Sequence, residues 1–417
     1  MPLYITVFLF YNLLLSPLLG VTVVYLLGVD MNRLGGIHPN IKEEVFLAVW
    51  FSALLIIFFI ALALGVTRRL NLRNKAVFEN DVPSRPHLIL YQCLFLINCI
   101  YIAFLFARFH AAIPLVQLLF GSDFKTSLSL ARDAHLTGSI SIPYISKFFD
   151  FLNLFLPLFG LTLYLDKRLG KLFLLLAYVV SISYLSMDLQ KAPAFILLLL
   201  SLFITVQKKG LKIRHLLLFF VSATALVSMF SIFMSKSIGD MFLYLLDRPI
   251  FGQVQGMYYM FQYYAPSFDA FFTKFYFSNF ISSITSIAPD VYIIDYVYPG
   301  AKHIVNVNTY FIGEAWAYGG PMGIIYFSIL VGIIFFVYAI LFSLFSAFHT
   351  RVSYIISFIF FATIPINQSL QFVVFQKYFL YLIIFFVIPL FMLFYVIRKW
   401  DSYSRAIVNK AANPVRD

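Results

Sequence analysis

VFLAVWFSALLIIFFIALALGV, residues 45–66, is followed at once by Thr67, Arg68 and Arg69. Its 22 residues carry no charge, and as a helix they reach about 33 Å at 1.5 Å per residue. A bilayer core about 30 Å thick needs roughly 20 apolar residues to cross it. The stretch therefore reads as a transmembrane helix that ends in arginines, and the rest of the chain repeats its pattern.

Of the 417 residues, 62% are hydrophobic and only 12% charged, with a mean hydropathy of +0.91. Soluble domains put about a quarter of their residues into charge, so an ordinary globular enzyme, a disordered chain and a fibrous chain are all excluded. Fifty-one Phe and 27 Tyr suit bulky lipid-facing and interfacial positions. Ten spans are expected, and ten to twelve fit: Leu3–Leu27, Val45–Val66, Leu88–Ala107, Phe148–Leu165, Leu172–Met187, Pro193–Val206, Leu216–Ser235, Pro321–Ser346, Ser353–Ile366 and Tyr378–Ile397. The fifth, sixth and ninth are short for a full crossing. The first has no basic leader and is too long for a signal-peptide core, so it counts as a span.

The loops alternate in charge. Clusters at Arg68 to Arg85, Lys167 to Lys171 and Lys208 to Arg214, together with Arg351 and the tail from Arg398 to Arg416, hold 18 of the 30 basic residues against five acids. The opposite loops are nearly balanced. Lysine and arginine gather on the cytoplasmic side of inserted chains, so both termini are expected to be cytoplasmic, and the net charge of +12 needs no nucleic acid to explain it. Cys93 and Cys99, six residues apart in one span, lie beyond disulfide reach on a helix.

The expected organisation is an N-terminal transmembrane bundle over 1–235 that includes an outward loop at 108–147, a large outward loop at 236–320, C-terminal helices over 321–397 and a basic tail over 398–417. Connections as long as the two outward loops are usually functional. The second is rich in Tyr and Phe, so it should fold as short amphipathic helices on the membrane face. No internal repeat is visible. No Walker loop, dinucleotide fingerprint, nucleophile elbow or zinc signature occurs, so neither cofactor nor metal is expected.

The polar residues with chemical potential sit in outward loops. Arg132 lies in Ala131-Arg132-Asp133, where pairing with the aspartate is the plain alternative to ligand binding. Arg248 follows an apolar run in Leu246-Asp247-Arg248-Pro249-Ile250-Phe251-Gly252-Gln253-Val254-Gln255-Gly256, a kinked backbone carrying a group suited to bidentate phosphate binding. Lys191 occupies a tight outward turn at headgroup depth, where it either snorkels or meets a lipid phosphate. The richest stretch runs from Lys302 and His303 through Asn308-Thr309-Tyr310-Phe311-Ile312-Gly313-Glu314-Ala315-Trp316-Ala317-Tyr318-Gly319-Gly320-Pro321-Met322-Gly323. Asn308 reads as an N-cap, and Tyr310, Glu314 and Tyr318 recur every four residues on one helix face. A carboxylate at a membrane boundary is costly unless paired and is a functional candidate by default; a structural clamp with an arginine is the competing reading. His303 is a rival base, and His38, His110 and His135 are weaker ones.

This last stretch, the outward loop before it and the number of spans resemble the bacterial O-antigen polymerases, the Wzy family, within the lipid-dependent, GT-C-like membrane glycosyltransferases. Arg132 and Arg248 match outward arginines typical of such proteins, and Lys191 stands where an arginine is frequent. The resemblance implies a multi-pass protein of the bacterial inner membrane with its site facing the periplasm. It would transfer a glycan from undecaprenyl pyrophosphate to a hydroxyl of a new lipid-linked repeat unit, with a chain-length regulator as a further partner. The implied roles are Glu314 or His303 as base, with Arg132, Arg248, Lys191, Lys302, Asn308 and Tyr310 binding substrate. Related O-antigen ligases carry a His-Asn pair, whereas here Val307 precedes Asn308, which favours a polymerase. A flippase for lipid-linked sugars would need charges deep in several spans, and only Asp150 comes near a span interior.

Overall fold

The computed structural model describes residues 9–29, 33–69, 85–110, 113–119, 145–187, 192–233, 239, 247–267, 292–299, 307–348, 350–363 and scattered positions between 388 and 403. Among these residues the chain is helical, with no strand. A π-helical segment, Leu9–Leu18, leads into α1 (Leu19–Leu27). Then follow α2 (Pro39–Arg69), α3 (Arg85–Phe109), α4 (Pro114–Leu119), α5 (Ile145–Leu165), α6 (Lys171–Leu185), α7 (Ala192–Lys209) and α8 (Ile213–Phe233). A second π-turn, Arg248–Gly252, precedes α9 (Gln255–Tyr263), α10 (Ile294–Val297), α11 (Tyr310–Phe348) and α12 (Thr350–Thr363).

Among the described residues, four stretches, Pro39–Arg69, Leu88–Phe109, Ile145–Leu165 and Tyr310–Leu341, are long and apolar enough to cross a membrane. They coincide with the second, third, fourth and eighth spans read from the sequence. Of the three short spans two are short here too, α6 with 15 residues and α12 with 14, whereas α7, over the sixth, has 18. The expected span at Tyr378–Ile397 lies mostly outside the described residues.

The chain divides into two units. The first comprises residues 1–73, 230–344 and 360–377, and the second 74–229, 345–359 and 378–417. In the first unit, α2 shows why these helices belong in lipid. Val45, Val49, Ser52, Ile56, Ile60 and Ala63 recur every three or four residues and are buried, while Leu47, Phe51, Leu54 and Phe58 on the other side are exposed. A helix that is apolar all round is either a core helix of a large protein or a membrane span. The buried face also carries polar glue, since Ser52 and Ser328 of α11 share a hydrogen bond of 2.7 Å between their hydroxyls. Such bonds, with small residues that let backbones approach, hold helices together where the surroundings are as apolar as the side chains.

Both π-segments contain a proline, Pro17 and Pro249. Pro17 lies inside its helix, where it removes one hydrogen bond and displaces the carbonyl a turn earlier, and a wide turn is one way to absorb that; Pro249 stands in the first turn of its segment, where a missing N–H is tolerated. The two segments pack on each other, and a Cβ at Gly20 would overlap the Ile250 carbonyl oxygen. α11 breaks at Gly319-Gly320, where Gly320 takes φ +59°, a conformation open to glycine; Pro321 then restarts the helix from a position that tolerates a missing N–H. The boundary drawn from sequence at 320/321 thus falls on a break inside one element, and residues before it are already helical from Tyr310.

In the second unit α5 is the core. Every residue from Phe151 to Leu163 is buried, with α3, α6 and α7 packed around it. Phe151, Phe155 and Phe159 stack one on the next at 6.0 and 5.4 Å between ring centroids. Asn98 of α3 and Asn153 of α5, both fully buried, exchange reciprocal amide bonds of 2.8 and 3.0 Å. Asp150, the acid expected near a span interior, sits in the second turn of α5 and accepts from the Tyr184 hydroxyl at 2.9 Å and from Lys147 at 3.1 Å. At the other end of the helix, Asp166 pairs with Lys208.

Candidate functional site

The site is built in the first unit on α9, a helix of nine residues that uses its two sides differently. Gln255, Tyr259 and Gln262, spaced four and three apart, share one face and hold the loop 33–38. Gln255 Nε2 and the Tyr259 hydroxyl both donate to the Arg33 carbonyl, at 3.0 and 3.2 Å. Gln262 Nε2 donates to the Gly36 carbonyl, and its Oε1 accepts from the His38 backbone N–H, each at 2.9 Å.

The Arg33 side chain turns to the π-turn. Its Nε donates to Asp247 Oδ1 at 2.7 Å, its Nη2 to Asp247 Oδ2, and its Nη1 to Gln255 Oε1 at 3.1 Å. This is a bidentate guanidinium–carboxylate pair, with Arg33 and Asp247 side chains 22% and 16% exposed. It satisfies the acid next to Arg248 in sequence.

The other side of α9 meets the stretch 307–318. A Cβ at Gly256 would overlap the carbonyl oxygen of Asn308, so only glycine permits this backbone approach. Asn308 Nδ2 donates to Gln253 Oε1 at 2.7 Å. Phe261 and Trp316 stack at 4.4 Å between centroids and 12° between planes, and the Ser267 N–H donates to the Ala317 carbonyl at 2.8 Å. Glu314 is wholly buried, and its Oε2 accepts from the Tyr318 hydroxyl at 3.1 Å, the i, i+4 pairing expected from the spacing.

Two donors, the Tyr258 hydroxyl and the Trp316 indole N–H, are buried without a hydrogen-bond partner among the described residues. Burial pushes the Tyr258 phenol well above its ordinary value, so it stays a neutral donor.

The candidates from sequence separate as follows. Asn308, Tyr310 and Glu314 lie in one unit with the Arg248 turn, whose backbone is described. Arg132, Lys191, Lys302 and His303 lie outside the described residues. One reading is corrected: Asn308 is not the N-cap. α11 starts at Tyr310, whose φ is +54°, and the Asn308 amide is spent on Gln253 instead. Tyr310 itself is 1% exposed.

Sequence reasoning missed Arg33, Gln255 and Gln262. Asp247 was quoted only as the neighbour of Arg248. No local pattern announces a pair 214 residues apart; the available signal was an arginine shortly before two glycines in a short loop.

No family model matches this chain, and neither a curated protein nor a solved structure matches it.

Proposed function

We propose that this chain is an O-antigen polymerase of the bacterial inner membrane, a glycosyltransferase with about ten spans and its site on the periplasmic side. A hydroxyl oxygen of the incoming lipid-linked repeat unit attacks the anomeric carbon of the growing glycan. The bond from that carbon to pyrophosphate breaks, and undecaprenyl pyrophosphate leaves. Arg248, with Arg132, Lys191 and Lys302, meets the charge developing on the leaving group. Glu314, or else His303, takes the proton of the attacking hydroxyl.

The observation that carries this reading is the seam between α9 and residues 307–318. It draws two stretches flagged independently in sequence, one carrying the arginine proposed to meet phosphate and one with a buried carboxylate, into one packed unit. The burial of Glu314 also favours a second role, as the acceptor that fixes the last turn before Gly319-Gly320 through Tyr318.

Lipopolysaccharide ladders test the assignment. Arg248→Ala and Glu314→Gln, expressed at normal levels, are expected to leave single-repeat lipopolysaccharide. Full-length ladders in both variants would overturn it. A null strain carrying bare core would instead indicate a ligase.

A further inference from the structure

Five tyrosines gather where α9 and α10 meet. Tyr259 and Tyr263 stack at 5.9 Å between centroids, Tyr263 and Tyr296 at 4.5 Å and 13°. Tyr292 leans on Tyr296 at 5.8 Å, and Tyr264 meets Tyr292 edge-on at 5.3 Å. Burial increases inward: Tyr259 is 8% exposed, whereas Tyr263, Tyr292 and Tyr296 are 36%, 40% and 41% exposed. The buried end is tied down, because the Tyr259 hydroxyl donates to the carbonyl of Arg33, the residue that clamps Asp247 beside the Arg248 turn.

We propose that this column, ending in Tyr292 and Tyr296, is a carbohydrate-docking platform on which the glycan lies as it approaches the Arg248 turn. The proposal rests on the polymerase reading and names the part of the substrate that the column holds.

Tyr263 is engaged by two neighbouring rings, Tyr259 and Tyr296, so the usable surface is the outer pair. A sugar ring presents one face of C–H groups and a rim of hydroxyls. Stacked phenols offer both complements, an apolar face and hydroxyls at the edge. A bilayer is the less suitable occupant. Asp295, exposed between the two rings in sequence, opposes contact with anionic headgroups, and aromatic rings that serve as membrane anchors sit at the headgroup level at span ends, whereas these rings stack on one another.

The probe is lipid-free oligosaccharide released by mild acid from the host's own lipopolysaccharide, titrated calorimetrically into the full-length protein in detergent. It carries no pyrophosphate, so its binding is read without turnover. The double variant Tyr292→Ala/Tyr296→Ala, with an unchanged melting temperature, is expected to bind about tenfold more weakly, two aromatic contacts being lost. Tyr292→Phe/Tyr296→Phe keeps the stack and should stay within about threefold of the wild type.

Equal binding by the alanine variant, or no binding by the wild type, overturns the platform. So does quenching of the emission added by Tyr296→Trp when the protein sits in bilayer discs of brominated lipid, which would put that ring in the membrane. Oligosaccharide binding in a protein that never elongates lipid-linked repeats would remove the polymerase and leave the platform. Normal ladders with unaltered binding in the alanine variant would do the reverse.

Discussion

Glu314 and Arg33 show how charge is handled in this site. Glu314 was conspicuous in the sequence because small and aromatic residues surround it, and Tyr318 stood one turn on as its donor. Its two roles separate by chemistry. Glu314→Gln keeps an acceptor for the Tyr318 hydroxyl but cannot take a proton at neutral pH. A base predicts ladders cut to single repeats with the melting temperature held; a structural acceptor predicts intact ladders. Arg33 was illegible because its meaning comes from Asp247, and pairing across 214 positions is decided by tertiary packing. Arg33→Ala leaves a largely buried carboxylate without its charge partner, which is expected to cost roughly 1–3 kcal/mol. Asp247→Asn on that background should recover part of the loss, and thermal unfolding in detergent reads both.

Among the elements, the contacts between α9 and 307–318 and between α3 and α5 carry the sharpest expectations. Gly256→Val pushes a branched side chain into the Asn308 carbonyl. Overpacking of this kind costs about 1–3 kcal/mol, and the damage should appear as lower stability and, through the displaced 307–318 stretch, as lost polymer. Asn153→Leu strands the buried Asn98 amide and should cost about 1–3 kcal/mol, whereas Asn98→Leu/Asn153→Leu removes both partners and should be nearly neutral; melting curves of the three proteins decide. The long spans were legible because a helix of 20 or so uncharged residues has no soluble alternative. The proline π-turns and the start of α11 were not. Asn308 has the composition of a cap, but the helix starts two positions later, and the Asn308 amide N–H goes to Gln253, 55 residues away. Neither could α9 be told from the aromatic loop around it, since its partners, residues 33–38 on one side and 307–318 on the other, are distant in sequence.

For the whole molecule, the apolar outer face of α2 and the buried girdle of α5 accord with the composition, which already demanded lipid. The arrangement into two units drawn from separated segments follows no boundary that composition or charge marks. The charge asymmetry of the loops predicts sidedness. With Cys93 and Cys99 replaced by serine, a membrane-impermeant maleimide should label His38→Cys in intact spheroplasts and Lys209→Cys only after lysis; the opposite pattern would invert the topology and place the α9 site in the cytoplasm.

If the proposed activity holds, this chain lengthens a lipid-linked glycan by itself. Purified protein in bilayer discs, supplied only with undecaprenyl-pyrophosphate-linked repeat units, should yield chains of two or more repeats and release one undecaprenyl pyrophosphate for each bond made, with Arg248→Ala and Glu314→Gln inactive. Repeats that remain single in this assay, but cross from one leaflet to the other in sealed vesicles holding the same protein, would contradict it.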